Sequence, residues 1–257
     1  MTHPWFTAGP TPRVLAHRGL VPADSEGIAE NTTAAFAAAH AAGAIYVESD
    51  CHLTADGEVV LFHDEDLSRV AGDPRAVAAV TFRELERVMG TRGGLLSLPQ
   101  ALDAFPTLRF NLDVKVAAAA EPMGRAVARH AERVLLSSFD DDRRRVAMAA
   151  ARAAGGEPAA SAGTGTMVRV LAAAAAHSDR LVRRALAGID ALQIPERYGR
   201  LRVVTPRVIA AAHGAGVEVH VWTVNDPAEM ERLLDMGVDG IVTDRADVAL
   251  ATVAGRA

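Results

Sequence analysis

The sequence predicts an α/β fold, a (β/α)₈ barrel with a small insertion after strand two. Short β-branched runs alternate with longer alanine-rich amphipathic stretches, which is typical of parallel strands joined by crossover helices. Eight such runs fit into 257 residues, a length that these barrels use for one domain. Half of the residues are apolar, which is enough for a sizeable core. We therefore expect one barrel domain over residues 1–257.

The eight candidate strands are spaced regularly except between the second and the third. The fifth is short and rich in alanine, so its strand pattern is the least regular. A doubly wound open sheet gives a similar alternation, and periodicity alone leaves that alternative open. In chain order the candidate strands cover residues 13–16, 44–50, 109–114, 134–138, 159–162, 191–195, 217–224 and 240–243.

Helix boundaries carry their usual signals. Pro206 and Pro227 each follow a capping Thr or Asp, and proline is favoured at the first helical position. Gly43 and Gly237 stand where a left-handed residue would end the helices before strands two and eight. These positions place helices between the strands, as the barrel requires.

About sixty residues, 51–108, separate strands two and three and interrupt the regular alternation of strands and helices. They begin with a hairpin pattern whose turn is the dipeptide Asp56-Gly57. Two capping-box patterns, starting at Thr81 and Ser97, then predict short helices. We interpret this segment as an insertion at the carboxyl end of strand two, on the barrel face where such enzymes carry their sites.

Charged side chains occur at the ends of strands two and three. Glu48 and Asp50 share one face of strand two, and paired carboxylates suit a hard cation such as Mg²⁺ or Ca²⁺. Asp113 and Lys115 share one face of strand three, where a buried strand should be almost entirely apolar. The structural alternatives are a solvated strand end for the first pair and mutual charge pairing for the second.

Further polar residues follow other strands. His17 and Arg18 end strand one, and His63 ends the hairpin, so each histidine is close to a predicted carboxylate. An imidazole gives or takes a proton near neutral pH, and an arginine can hold a phosphate bidentately. Glu30 precedes a helix that Asn31 or Thr32 would cap, which leaves its carboxylate free for the site.

Two residues at strand ends, Trp222 and Asp244, are explained equally well by a structural role and by a role in the site. Trp222 ends strand seven and either belongs to the core or walls a pocket at the barrel mouth. Asp244 closes strand eight and either serves the site or caps the last helix. His220 lies one step deeper than Trp222 and is predicted to pack inside the barrel, whereas His52 is predicted to be exposed.

Composition excludes several classes of protein. The net charge is −5 and no basic stretch stands out, which argues against nucleic-acid binding. The one local cluster, Arg143-Arg144-Arg145, directly follows three aspartates and is typical of a solvated helix start. Cys51 is the only cysteine and fits a reducing compartment. Residues 1–12 lack the pattern of a signal peptide, and no apolar run is long enough for a membrane span. We expect a cytoplasmic protein without integral membrane association, whose partner is a small molecule; its oligomeric state is not readable.

Taken together, the polar motifs resemble those of glycerophosphodiester phosphodiesterases, and the resemblance covers nearly the whole chain after residue 13. Each motif is weak alone, but their order along the chain is specific. The family fold is a (β/α)₈ barrel with a small insertion after strand two. The matching motifs are His17-Arg18-Gly19, Glu30-Asn31-Thr32, Glu48-x-Asp50, Leu53-Thr54-x-Asp56-Gly57, His63-Asp64, Asp113-x-Lys115, Trp222-Thr223-Val224-Asn225 and residues 239–244.

The resemblance implies metal-dependent hydrolysis of a phosphodiester to sn-glycerol 3-phosphate and an alcohol. Glu48, Asp50 and Asp113 would bind a divalent cation, Ca²⁺ or Mg²⁺. The family usually has Glu at the third position, and Asp113 is one methylene shorter, which affects the identity and affinity of the metal. His17 and His63 would act as general acid and base.

The resemblance also implies a set of substrate contacts. Arg18 and Lys115 would bind the phosphate, Trp222 would line the glycerol or alcohol pocket, and Glu30 would face the substrate. The loop of residues 19–29 is several residues longer than usual, and Ala29 replaces the usual proline before Glu30. This loop should rim the site and influence the choice of substrate.

Three alternatives remain at this level. The first is a phospholipase D-like enzyme acting on lysophospholipids or sphingomyelin, although an aromatic content of 4% gives little apolar approach surface. The second is a catalytically inactive binding barrel that has lost its site through the change at Asp113. The third is an unrelated barrel that shares only the architecture.

Overall fold

A computed structural model describes residues 2–23 and 25–256. Eight parallel strands form the barrel, namely β1 Arg13–His17, β2 Tyr46–Leu53, β3 Arg109–Val114, β4 Val134–Ser137, β5 Ala159–Ala160, β6 Ala191–Pro195, β7 Glu218–Trp222 and β8 Gly240–Thr243. Their order in the sheet is β5-β4-β3-β2-β1-β8-β7-β6. A single parallel bridge between Ser161 and Ala191 joins β5 to β6 and completes the circle.

Helices cover the outside of the barrel and parts of the insertion. Short 3₁₀ helices lie at Pro4–Thr7, Val77–Ala79 and Ala128–Arg133. The α-helices are Thr33–Ala41, Ser68–Ala71, Phe82–Met89, Leu98–Ala104, Ala117–Val127, Asp141–Ala153, Thr164–Ala175, Asp179–Ala185, Pro206–His213, Pro227–Asp235 and Ala246–Ala254.

The strand order confirms the predicted barrel and excludes the doubly wound alternative. Strand β1 lies between β2 and β8, so the first and last strands of the chain are neighbours. Each observed strand overlaps its predicted range, and β5 is the shortest, with two residues. Closure at this weak point depends on backbone hydrogen bonds on both sides of it, from Ala162 N to Ala191 O and from Asp190 N to Ala160 O.

The predicted helix boundaries are also confirmed. Thr205 and Asp226 cap their helices by accepting hydrogen bonds from backbone N–H groups one turn on, and each precedes a proline. Gly43 and Gly237 have φ values of 96° and 90°, the left-handed conformation that glycine adopts without strain. The chain therefore turns sharply into β2 and β8.

The insertion starts three residues later than predicted, because β2 continues to Leu53. The strand Val59–Leu61 pairs with it in an antiparallel hairpin, as the Asp56-Gly57 turn indicated. Both capping boxes form, at Thr81 and at Ser97. A second small hairpin, Asp66–Leu67 with Asp73–Ala76, follows His63 and brings the insertion to the carboxyl end of the barrel.

The amino-terminal segment closes the other end of the barrel. Trp5 and Phe6 are buried, and the indole N–H of Trp5 donates to Phe110 O at 3.1 Å. Beside them, Arg13 donates to both carboxylate oxygens of Glu218, at 2.7 and 2.8 Å. These residues form the barrel floor.

The prediction for His52 was wrong. Because β2 extends to Leu53, His52 is buried in the hairpin, and its Nε2 lies 3.1 Å from His63 O. Burial lowers the pKa of His52. The prediction for His220 is confirmed, since its side chain is fully buried inside the barrel. Among the described residues, no helix is apolar over a length that could cross a bilayer.

Candidate active site

Strand register brings the predicted polar residues together at the carboxyl end of the barrel. His17 at the end of β1 lies opposite Glu48 of β2. Asp50, two residues further along β2, lies opposite Asp113 of β3. Because parallel strands end at the same edge, residues far apart in sequence share one surface.

Two of the three carboxylates, Asp50 and Asp113, pair with one lysine. The Lys115 Nζ lies 2.8 Å from Asp50 Oδ1 and 3.0 Å from Asp113 Oδ2. Asp50, Asp113 and Glu48 are all buried, whereas the lysine head reaches partly into solvent. Buried charges persist only when they are paired or bind a cation, so this cluster is held together by opposite charge.

The three carboxyl groups of the cluster differ in the direction of their pKa shifts. Burial, together with the charges of Asp50 and Asp113, raises the pKa of Glu48 well above its usual value. Burial likewise raises the pKa of Asp113. Burial also acts on Asp50, but the nearby cations of Lys115 and Arg18 outweigh it and lower the pKa of this carboxyl. Ionisation is therefore opposed at Glu48 and Asp113 and favoured at Asp50.

The donor set fits a hard cation by its chemistry. Carboxylate oxygens are the ligands that Ca²⁺ and Mg²⁺ take in proteins. One buried oxygen, Glu48 Oε2, has no hydrogen-bond partner among the described residues. Within residues 2–23 and 25–256, however, no three His, Cys, Asp or Glu side chains converge as metal ligands. Lys115 bridges Asp50 and Asp113 instead.

His17 is oriented by the end of β8. Its Nδ1 lies 2.6 Å from Asp244 Oδ1, and its Nε2 lies 3.8 Å from Glu48 Oε2. The amide of Asn225 donates to Asp244 Oδ2 at 2.8 Å. The hydrogen bond with His17 lowers the pKa of Asp244, so this carboxylate is ionised at neutral pH and acts as an acceptor. The Nδ1 atom of His17 is then the donor.

His63 has a similar partner from its own motif. Its Nδ1 lies 2.7 Å from Asp64 Oδ1, and Arg69 Nε donates to Asp64 Oδ2 at 2.6 Å. Burial opposes the ionisation of Asp64, but these two hydrogen bonds outweigh it and lower the pKa of the carboxyl. Both candidate histidines therefore present Nδ1 to a carboxylate, and Nε2 of each makes no hydrogen bond with the residues that the structure describes.

Arg18 lies between two acidic groups. Its Nη1 donates to Glu30 Oε1 at 2.8 Å, and its Nε lies 3.3 Å from Asp50 Oδ2. Asn31 adopts a φ of 59° and donates from Nδ2 to Asp50 Oδ2. Of the two predicted N-caps, Thr32 is the one observed, since its side chain accepts a hydrogen bond from Ala35 N. Asn31 thus supports Asp50.

An aromatic pair walls one side of the mouth. Trp222 meets Phe139 edge to face, with ring centroids 5.6 Å apart. The Lys115 Nζ lies 5.7 Å from the centroid of the Phe139 ring. Phe139 is 58% exposed, which is unusual for a phenylalanine. Sequence reasoning missed it because an isolated aromatic after a strand carries no pattern.

The long loop of residues 19–29 lies at the rim of the site beside His17, as predicted; its Asp24 lies outside the described residues. A pocket of about 590 Å³ opens between this loop and the insertion. It is lined by apolar side chains such as Val21 and Ile28 and by Arg69, with His17 at its edge. The loop therefore shapes the space beside His17.

Residues 17–248 match the family model described as the Glycerophosphoryl diester phosphodiesterase family. The chain belongs to this family of phosphodiester hydrolases. A family member from Mycobacterium tuberculosis, the probable glycerophosphodiester phosphodiesterase 2, is 37% identical to it over 91% of this chain and 88% of its own.

Solved structures of glycerophosphodiester phosphodiesterases agree with the fold. The enzyme from Thermotoga maritima has a TM-score of 0.70 at 27% identity, covering 93% of this chain and 96% of its own. A phosphodiesterase from Oleispira antarctica, in complex with the product sn-glycerol-3-phosphate, has a TM-score of 0.70 at 22% identity, covering 95% of this chain and 97% of its own. These comparisons support a (β/α)₈ barrel.

All nine site residues predicted from the sequence lie at this end of the barrel. Ion pairs directly connect five of them, Lys115 with Asp50 and Asp113, and Arg18 with Glu30 and Asp50. His17 lies near Glu48, whereas His63 and Trp222 contact Asp64 and Phe139, which are not among the nine. Their roles in the reaction stay predictions. The nine are His17, Arg18, Glu30, Glu48, Asp50, His63, Asp113, Lys115 and Trp222.

Proposed function

We propose that this protein hydrolyses glycerophosphodiesters to sn-glycerol 3-phosphate and an alcohol, in a metal-dependent reaction with His17 and His63 as general acid and base. Membership of the family supports the reaction class. The observation that carries the proposal is the pair of imidazoles, each hydrogen-bonded through Nδ1 to a carboxylate, beside a buried cluster of carboxylates and Lys115. This pairing suits the transfer of two protons at one phosphodiester.

The proposed cofactor is a divalent cation, Ca²⁺ or Mg²⁺, held by Glu48, Asp50 and Asp113. When bound, it would offset the negative charge that develops on the oxygens of phosphorus. The three buried carboxyl groups at one end of the barrel, and the Glu48 oxygen that has no hydrogen-bond partner among the described residues, support such a site. Lys115 pairs with two of these carboxylates, and metal binding would free its ammonium for the substrate.

The proposed phosphate contacts are the side chains of Arg18 and Lys115. Both are cations at the edge of the cluster, and both are partly accessible. Nonbridging phosphate oxygens would replace carboxylates as their partners. Glu30 is not a phosphate ligand in this proposal, because its carboxylate and the phosphate are both anionic. Its carboxylate would instead accept a hydrogen bond from a substrate hydroxyl. Trp222 would wall the glycerol or alcohol moiety.

The proton steps follow from the hydrogen bonds of the two histidines. Because Nδ1 is engaged by a carboxylate in each, Nε2 is the atom that takes or gives a proton. One imidazole removes a proton from the attacking oxygen as that oxygen bonds to phosphorus. The other protonates the alkoxide as its bond to phosphorus breaks. Attack by water and attack by a glycerol hydroxyl, which first closes a cyclic phosphate, use the same pair.

A substrate comparison tests this proposal. Purified protein would be incubated with glycerophosphocholine and, separately, with long-chain lysophosphatidylcholine, and the products identified by ³¹P NMR. We expect glycerol 3-phosphate from the first substrate at the higher rate. Lysophosphatidic acid as the main product would favour the phospholipase D-like alternative. Turnover of neither would favour an inactive binding barrel.

Within this proposal the compartment is the cytoplasm, which fits the free, buried Cys51.

A further inference from the structure

A chain of ion pairs connects His63 to Arg18 across the mouth of the site. Arg69, on the short helix Ser68–Ala71 of the insertion, is its central member. Its Nε donates to Asp64 Oδ2 and its Nη2 donates to Glu30 Oε1, both at 2.6 Å. The same Glu30 oxygen accepts from Arg18 Nη1 at 2.8 Å. One guanidinium thus joins the histidine side of the site to the phosphate side.

Asp64 depends on Arg69 for its orientation. One oxygen of Asp64 accepts from His63 and the other from Arg69. Among the residues that the structure describes, these are the side-chain partners of this carboxylate. With both oxygens fixed, the carboxylate plane is set, and so is the direction in which His63 points Nδ1. Without Arg69, an Asp side chain that is partly open to solvent can rotate away from the imidazole.

We propose that Arg69 is a positioning residue that acts through Asp64 to hold His63 with its proton on Nδ1 and Nε2 facing the substrate. The proposal rests on the function proposed above, because it gives Arg69 a purpose in that reaction. It also links the two halves of the site. When a phosphodiester takes Arg18 as a partner, Glu30 keeps Arg69, and the histidine stays oriented.

Arg69 contributes to the orientation of the His63 imidazole rather than to the stability of the fold. Its side chain is 53% exposed, and exposed ion pairs contribute little to stability. Replacing Arg69 should therefore leave the fold and its thermal stability almost unchanged. Imidazole orientation, in contrast, matters directly for proton transfer, since a general acid or base contributes about 10²- to 10⁴-fold in rate. Losing part of that orientation should cost about 10- to 100-fold in kcat.

A double-mutant cycle tests this inference. The variants are Arg69→Ala, His63→Ala and the combination, with kcat and KM measured for glycerophosphocholine. Arg75→Ala is the matched control, because Arg75 is similarly exposed in the same insertion but pairs with Asp73 and Glu84, outside the chain of ion pairs. We expect Arg69→Ala to lower kcat with little change in KM, and to have no further effect once His63 is absent. An undiminished loss in the His63→Ala background would overturn the proposal.

A spectroscopic measurement keeps the inference testable even if no substrate is turned over. The ¹⁵N chemical shifts of His63 report which ring nitrogen carries the proton in the neutral form. We expect the Nδ1–H form in the wild type, a mixture of both forms in Arg69→Ala, and partial recovery in Arg69→Lys, because an ammonium can pair with Asp64 but lacks the planar fork. An unchanged proton position in Arg69→Ala would contradict the proposal, whatever the activity.

Discussion

His17 Nδ1 lies 2.6 Å from Asp244 Oδ1, so the first and last strands of the barrel provide the two members of one hydrogen-bonded pair. The pair forms because β1 and β8 are neighbours in the closed sheet. Asn225, after β7, holds the second oxygen of Asp244. Three strand ends therefore orient one imidazole, and closure of the barrel is a condition for the arrangement.

The first prediction concerns Asp244. Its replacement by Ala should lower kcat by about 10²-fold, since His17 would lose the acceptor that fixes its proton on Nδ1. Thermal stability should change little, because the Asp244 side chain is half exposed. Asp247→Ala is the control, as this acid pairs with Arg245 at the surface. Equal kinetics for the two variants would remove Asp244 from the positioning of His17.

The second prediction concerns the two histidines themselves. His17→Ala and His63→Ala should each reduce the turnover of glycerophosphocholine by about 10²- to 10⁴-fold, the range that a general acid or base contributes. The circular dichroism spectrum should stay unchanged. His40→Ala serves as the control, since His40 is exposed on the helix Thr33–Ala41. Near-normal turnover in either variant would exclude that histidine from proton transfer.

The third prediction concerns the pH dependence of stability at the barrel floor. Burial opposes the ionisation of Glu218, but its hydrogen bonds with Arg13 and His220 outweigh this and lower its pKa to about 2. Because the folded pKa is depressed, the stabilisation is complete above the unfolded value of about 4.3 and disappears as the pH falls towards 2. Glu218→Gln should cost up to about 3 kcal/mol at pH 7 and much less near pH 2.

Chemical denaturation at both pH values measures this difference. Glu231→Gln is the control, because Glu231 is exposed on the helix Pro227–Asp235. A Glu218→Gln penalty of the same size at pH 7 and near pH 2 would mean that the ion pair with Arg13 is not its source.

The fourth prediction concerns Trp5. Its side chain is fully buried in the floor, and its indole N–H is hydrogen-bonded to the backbone of β3. Trp5→Ala should therefore destabilise the protein by about 3–5 kcal/mol, the usual cost of removing a large buried aromatic. Tyr198→Ala, at a position 79% exposed, should change stability by less than about 0.5 kcal/mol. Similar denaturation midpoints for the two variants would contradict a structural floor.

The positions of the strands along the chain and the carboxylate cluster could be predicted from the sequence, because both follow local rules. Period-two faces place Glu48 with Asp50 and Asp113 with Lys115, and strand ends meet at one edge. The helix caps at Thr205 and Asp226 are equally local. Periodicity alone did not separate the predicted closed barrel from an open sheet, because closure depends on a single bridge between Ser161 and Ala191 that no periodic pattern marks.

The remaining site residues depend on long-range contacts that sequence patterns do not encode. Arg69 lies in the insertion, 39 positions from Glu30 in the chain, and nothing local distinguishes it from Arg75. His52 was misplaced because the prediction ended β2 at Asp50, before the hairpin that buries it. Asp244 had two equal interpretations until the closed sheet placed it against His17.

The most direct test of the central claim is metal-dependent release of glycerol 3-phosphate from glycerophosphocholine. Protein stripped of metal would receive Ca²⁺, Mg²⁺ or Mn²⁺ one at a time, alongside Asp113→Glu, which restores the side-chain length usual in the family, and Asp113→Asn. We expect release only with a metal, a changed metal preference in Asp113→Glu, and a large loss in Asp113→Asn. Full activity without any metal, or no release with all three ions, would contradict the account.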